Sequence, residues 1–292
     1  MTFNRHAATR RELLLASGTL FAWAHLPKVA RAEGRDPRLL VIVLRGALDG
    51  LAAVAPIGDP DWVALRGDKA LSLYGKPSAL PLDSFFALNP AMPNLYRLYK
   101  SGAATIVHAT ATSYRERSHF DGQDVLESGL GKPGAADTGW LNRALAFDGW
   151  DTHAAEGAMS GRLATLLGAL DGAIAAIETE MKDAWGETVV AIVTEFGRTA
   201  RINGTDGTDH GTATVALLAG GALRGGRVVA DWPGLKPAKL HDGRDLKPTT
   251  DLRAVLKGLL KDHLRVDAAV LATNVFPDSA AVKPMAGLLQ QA

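Results

Sequence analysis

Apolar positions along this chain fall in two rhythms. Four short runs are apolar almost without interruption: residues 39–44 (LLVIVL), 104–108 (ATIVH), 188–194 (TVVAIVT) and 214–219 (TVALLA). Runs of that length, rich in Val and Ile, suit strands buried on both faces. Elsewhere the apolar residues recur every three or four positions. Within residues 161–181 they fall at Leu163, Leu166, Leu167, Leu170, Ile174 and Ile177. After Asp251 they fall at Leu252, Val255, Leu256, Leu259 and Leu260. That spacing gives a helix one apolar face. Residues 89–100 predict a shorter helix opened by Pro90 or Pro93, because proline suits a first helical turn. The stretch 117–129, RSHFDGQDVLESG, predicts another helix. Ser118 would be its N-cap, with Asp121 three residues on and Gly129 as the terminator.

Apolar runs separated by helical patterns predict an α/β fold, with a mostly parallel sheet covered on both faces. In such sheets ligands sit outside the carboxyl ends of the strands. Polar, ligand-type residues collect at that rim. Asp49 follows the first run, Ser118 and His119 follow the second across a loop, and Glu195 and Arg198 follow the third. Asp209 and His210 stand just before the fourth. Asp151 and His153 follow a further short run, 144–147.

Each of these residues has a plain structural reading beside the chemical one. Asp49 suits a turn, or a carboxylate ligand at a strand end. Ser118 suits a cap, but a helix start also carries about half a positive charge and favours an anion or an ionised nucleophile. His119 beside it is more than a cap needs. Asp151 and His153 would point the same way from an extended segment and converge on one ion; the plainer role for Asp151 is capping the next helix. Glu195 ends an apolar run, so burying it requires a cation or donors, and Arg198 is near enough in sequence to pair with it. Asp209 and His210 lie in a Gly- and Thr-rich loop, as a turn or as a ligand pair. His108 reads as a core histidine, whereas His241 and His263 sit in charged, surface-like contexts.

Carboxylates and imidazoles without thiols suit Zn²⁺, Mn²⁺, Mg²⁺ or Ca²⁺. Asp49, Asp151, His153, Glu195, Asp209 and His210 are the candidate metal ligands. Ser118, His119 and Arg198 are the candidate catalytic residues. Two ions about 4 Å apart would clamp both oxygens of a displacement at phosphorus. Ser118 would be the nucleophile, with Arg45 or Arg198 holding a phosphate or sulfate oxygen.

Composition narrows the setting. The 292 residues carry 32 Lys/Arg against 31 Asp/Glu, and no cysteine. Five of those bases and one acid lie in the first 32 residues, which leaves the remainder near −3. No basic, aromatic-interleaved patch points to nucleic acid. The absence of cysteine excludes disulfides and thiolate metal sites. Arg10 and Arg11 precede an apolar stretch from Leu13 to about Leu26, followed by Ala30, Arg31 and Ala32. That order predicts a twin-arginine signal peptide over residues 1–32, cleaved before Glu33. A membrane span needs roughly 20 apolar residues, more than this run holds. The expected partner is the twin-arginine translocation machinery, and the expected location is the periplasm, with no lasting membrane span.

Longer motifs carry a resemblance. LRGALDGL, SYRERSHFDGQDVLESG, GWLNRAL, GWDTHAAEG, VTEFGRTARINGTDGTDHGTATVALLAGGALRGGRV and GRDLKPTTDLRAVLKGLLKDHL lie between about Leu39 and Phe276. In them the chain resembles the twin-arginine-exported proteins of domain of unknown function 1501, a family similar in fold to the alkaline phosphatase/sulfatase superfamily. The resemblance implies one α/β/α sandwich over residues 33–292. It also implies a metal site, though no particular reaction; the rim residues point to hydrolysis of small phosphate or sulfate esters, and the two departures below point to the alternative, a binding or assembly protein that keeps the fold without the chemistry. On the superfamily plan Asp49 is the first-strand metal carboxylate and Ser118 the nucleophile. Asp151 and His153 bind the other ion. Either Asp209 and His210 are the plan's Asp-His-Gly ligand pair, or Glu195 is that carboxylate and His210 the later histidine ligand; the place of Glu195 directly after the run 188–194 favours the second. Two departures stand out: Phe196 falls where that plan has a histidine, and a segment normally found between GWLNRAL and GWDTH is missing near residues 145–149.

Overall fold

A computed structural model describes residues 35–134, 139–141 and 144–290. The signal-peptide expectation for residues 1–32 lies outside the described residues. Among the described residues no helix is long and apolar enough to cross a membrane.

The first apolar run forms β1 (Arg38–Arg45). A tight turn follows, then a short helix α1 (Gly50–Ala53) and β2 (Val54–Ala55). Next come α2 (Trp62–Arg66), β3 (Leu80–Pro81) and β4 (Ala87–Leu88). Strands β2, β4 and β3 make a small antiparallel sheet of their own. Helix α3 (Pro93–Lys100) opens at Pro93, the second of the two expected prolines, because Asn89 is committed to the turn before it. The second run becomes β5 (Ala104–Ala111), and the Ser118 stretch becomes α4 (His119–Ser128). Then follow β6 (Leu145–Asp148), α5 (Arg162–Met181), β7 (Thr188–Val193) and β8 (Thr214–Ala219). Next come β9 (Arg227–Val229), β10 (Thr250–Asp251) and α6 (Leu252–Asp262), followed by a short helical segment, Ala268–Val270 running into Leu271–Val275.

The main sheet has the order β10-β5-β8-β7-β1-β6, with β9 also paired to β5. Its pairings are parallel except those of β8, which runs antiparallel to both β5 and β7. Alternation along β1 splits the core into two layers. Ile42 and Leu44 pack with Leu95 and Leu98 of α3 and Leu163, Leu167, Leu170 and Ile174 of α5. Val41 and Val43 pack on the opposite face with Leu126 of α4 and Val255, Leu256 and Leu259 of α6. The protein is therefore a mixed α/β structure, a central mostly parallel sheet flanked by helices. Stripping either helical layer would expose several fully buried leucines, each worth about 1.5–3 kcal/mol of burial.

The four residues of β6 do the work of an edge strand. They pair in parallel with β1, with Ile42 opposite Leu145 and Arg45 opposite Asp148. The short run before GWDTH thus carries Asp151 to the strand-end rim despite its length. One histidine departs from expectation. His263, in a charged sequence context, is fully buried with its Nε2 3.0 Å from the Arg38 carbonyl, and burial pushes its pKa down. His108 is a core histidine as expected, bonded at 2.9 Å to the Val54 carbonyl and pushed down by burial to about 4.

Candidate metal centre

The antiparallel course of β8 explains where its ligand-type residues lie. Its amino end sits beside the carboxyl ends of its neighbours β5 and β7, so residues preceding it reach the same rim as those that follow β1 and β6. Two glycines permit the close approach there. Gly46 has φ 114°, and a Cβ on it would lie 2.4 Å from the Asp151 backbone nitrogen; only glycine lets the turn after β1 pass under Asp151. Gly122 faces Phe196 and Glu195, where a Cβ would stand 3.1–3.2 Å away. It lies one helical turn beyond His119, so α4 can bring that imidazole against the sheet.

Four donor atoms meet at this rim. His119 Nε2 and His210 Nε2 are 2.9 Å apart, and His153 Nε2 and His210 Nε2 are 3.0 Å apart. Asp151 Oδ1 lies 3.2 Å from His210 Nε2, 3.0 Å from His153 Nε2 and 3.6 Å from His119 Nε2. Donors about 2.0–2.1 Å from a tetrahedral Zn²⁺ stand about 3.3–3.4 Å from one another, a spacing that lies within the 2.9–3.6 Å spread of these separations.

The opposite ring nitrogens decide what those Nε2 atoms present. His119 Nδ1 is 2.8 Å from Glu195 Oε1, and His153 Nδ1 is 3.1 Å from Asp209 Oδ1. His210 Nδ1 is 2.9 Å from the Arg117 carbonyl oxygen. All three partners accept hydrogen bonds, so each Nδ1 carries the proton in a neutral ring and each Nε2 is left with a lone pair. Three lone pairs and a carboxylate oxygen then face one another, an arrangement that a divalent cation, or a proton on one of the imidazoles, would satisfy. An acceptor behind each imidazole is the usual support of metal-ligating histidines. His119, Asp151 and His210, each half-buried, form a possible metal-binding site; His153, more exposed, joins it by distance.

Electrostatics fit the same division of labour. Glu195 is fully buried; burial pushes its carboxyl up, but bonds from His119, the Gly46 N–H and the Thr194 hydroxyl hold it below the usual range. Asp151 is likewise held low, burial being outweighed by the Arg198 guanidinium 2.6 Å away. His119 is pushed up, first by its bond to Glu195, while His210 is pushed down, first by burial. Phe196 is buried and stacks on His119 at 4.9 Å between ring centroids, walling one side of the site with hydrocarbon.

The expected residues sort into three groups. Asp151, His153 and His210, expected as ligands, supply donor atoms, and His119, expected to be catalytic, joins them. Glu195 and Asp209 were alternatives for one ligand position; both instead stand behind imidazoles, on His119 and His153. Asp49 is the main correction. It is buried, caps α1 by accepting from the Leu51 and Ala52 N–H groups, and is paired bidentately with buried Arg66, one of the two bonds being 3.0 Å. Its oxygens are spent, and it takes no part in the cluster. Arg198 pairs with Asp151 and not with Glu195, and its other nitrogens bond Thr208. It is a buried positioning group and has no nitrogen left to hold a substrate oxygen. Arg45 pairs through Nη2 with Glu127 at 2.6 Å, and its Nε is buried without a hydrogen-bond partner. Ser118 occupies the N-cap position of α4, but its side chain makes no capping bond. Its N–H donates to the Tyr114 hydroxyl, which is itself 3.1 Å from Asp121. Gly129 ends α4 in the left-handed region as expected, with φ 79°.

Some contributors carried no sequence signal. The Arg117 carbonyl is a backbone atom. Asn203 bonds both Asp209 Oδ1 and the His153 carbonyl, and no motif marks it.

Fold and site together define a mixed α/β protein with a possible His/Asp metal-binding site at the strand-end rim. The family described as Protein of unknown function (DUF1501) matches residues 82–275, and the chain belongs to that family. No curated protein and no solved structure matches.

Proposed function

We propose that this protein is an exported, metal-dependent hydrolase of phosphate or sulfate esters, on an alkaline phosphatase-like α/β/α fold. One observation carries the reading: His119, Asp151 and His210 bring one potential ligand atom each close together, with His153 Nε2 3.0 Å from His210 Nε2, and each imidazole is held from behind by an acceptor. The donor set fits a divalent ion of the zinc type. A cation held there would supply Lewis acidity toward an ester oxygen.

The chain's own residues would do the rest. Arg198 fixes the Asp151 carboxylate, and Glu195 fixes the His119 ring. Ser118 lies between the Arg117 carbonyl that orients His210 and the His119 ring itself, and is the candidate nucleophile at the positive end of α4. Export through the twin-arginine machinery rests on the Arg10–Arg11 pair, the apolar stretch and the Ala30–Ala32 site.

A second reading has an observation of its own. With Asp49 locked to Arg66 and Phe196 in the wall, the described residues of the rim offer one candidate cation site. A binding or assembly protein that keeps a structural ion would look the same. The discriminating experiment is turnover of a panel of phosphomonoesters, phosphodiesters and sulfate esters by metal-loaded protein, with Ser118→Ala and His210→Ala beside it. Turnover abolished in both variants supports the hydrolase. Full metal occupancy with no turnover of any ester would leave the binding role.

A further inference from the structure

One cavity shares a wall with the metal centre. It is a depression of about 220 Å³ whose lining includes Leu65, Ile202 and Leu240, the basic residues Arg201 and Arg244, and Asp209. The shared wall is the backbone pairing that carries His210. Arg198 bridges to His210 in antiparallel fashion, and the Thr199 N–H donates to the Asp209 carbonyl at 2.9 Å. Asp209 therefore faces both places, and its Oδ1 is already taken by His153 Nδ1 and Asn203 Nδ2, each at 3.1 Å.

The charges around the cavity do not cancel. Arg244 is committed: its Nε is 3.2 Å from Asp245 Oδ1 and its Nη2 donates to the His210 carbonyl. Arg201 is exposed and has no ionic partner among the described residues. Below it the apolar side chains of Leu65 and Leu240 are buried, 6% and 9% exposed. A cavity with an apolar floor, one uncommitted guanidinium at its edge and a wall in common with a metal centre suits a particular ligand shape. Small-molecule sites combine an apolar lining with a few placed polar groups in this way.

We propose that this cavity is an anion subsite, in which Arg201 binds the charged head of a small organic anion whose apolar body lies against Leu65 and Leu240. The assignment of such an anion as part of the ligand processed at the centre rests on the hydrolase reading above. Binding of the anion itself does not, because none of the cavity's apolar or basic residues supplies a donor atom to the cluster.

The test uses the full chain, chelator-stripped and Zn²⁺-loaded, with hexanoate and the uncharged hexanamide as probes, binding being followed by calorimetry or by NMR shift changes. The expected result is that stripped protein binds hexanoate about three- to tenfold more tightly than hexanamide. Arg201→Gln should erase that preference, Arg201→Lys should keep much of it, and Zn²⁺ affinity should stay unchanged in both variants. Equal binding of the two probes, or an unaltered preference in Arg201→Gln, overturns the subsite. Hexanoate binding that appears only with Zn²⁺ also overturns it, since the anion would then be sitting on the metal. A hexanoate preference intact in a protein that never takes up Zn²⁺ upholds the subsite and sinks the metal reading instead.

Discussion

His119 and Glu195 are joined by a 2.8 Å bond between Nδ1 and Oε1, with the carboxylate fully buried and the imidazole half-exposed at the rim. The bond sets the tautomer of the ring and so aims its other nitrogen at Asp151 and His210. Glu195→Gln should keep the fold, since an amide oxygen can still accept from His119 and the Thr194 hydroxyl can accept from the amide. It removes the charge that makes His119 a strong donor. Metal affinity, read by competition with a chelating dye, should fall about tenfold or more, with little change in Tm.

Gly46 predicts a structural failure. Gly46→Ala places a methyl 2.4 Å from the Asp151 nitrogen at φ 114°. Strain and overlap together should cost about 2–5 kcal/mol. Urea denaturation measures the loss; a variant as stable as the parent would show that β1 and β6 do not approach as described.

Arg198 predicts a smaller loss. Its guanidinium is buried against the half-exposed Asp151. Arg198→Met should cost about 1–3 kcal/mol, less than the about 3–5 kcal/mol of breaking a fully buried pair, because water reaches Asp151. It should also lower metal affinity by letting Asp151 rotate away.

Glu156 predicts a pH dependence of stability. It is buried, accepts from the Thr152 and Thr208 hydroxyls, and is pushed from 4.5 to about 7, first by burial and then by Asp49. The folded protein therefore binds this proton more tightly than the unfolded chain does. Its contribution is fully present below about 4.5 and is lost as pH rises through about 7. Glu156→Gln, with its amide nitrogen turned to Thr152, should remove that slope and gain about 2–3 kcal/mol relative to the parent near pH 8. Denaturation midpoints at pH 5 and pH 8 decide it: a slope unchanged in the variant contradicts the burial of a proton-binding Glu156.

The strands were legible because burial on both faces leaves no polar position, and TVVAIV and TVALLA carry that signal outright. The direction of β8 was not, because parallel and antiparallel strands buried on both faces read alike. At the site, the ends of the runs gave the rim and the right neighbourhood for His119, Asp151, His153 and His210. They did not say which atoms face inward. Glu195 and Asp209 sit one bond further out because each has an imidazole between it and the centre, a fact of side-chain geometry that spacing along the chain does not hold. Asp49 was misassigned for a related reason. Its partner Arg66 is 17 residues away on α2, and nothing near Asp49 in sequence announces a guanidinium.

The most direct measurement is a Zn²⁺ titration of the chelator-stripped protein at pH 7.5 and pH 5.5, beside His210→Ala. Protons compete with a metal ion for imidazole lone pairs, so histidine ligation weakens as the pH falls. The expected result is one ion per chain, bound with release of protons, markedly weaker at pH 5.5 and lost or reduced at least a hundredfold in His210→Ala. No saturable uptake by the parent protein, or uptake that His210→Ala leaves unchanged, would contradict the convergence of His119, Asp151, His153 and His210 on a cation.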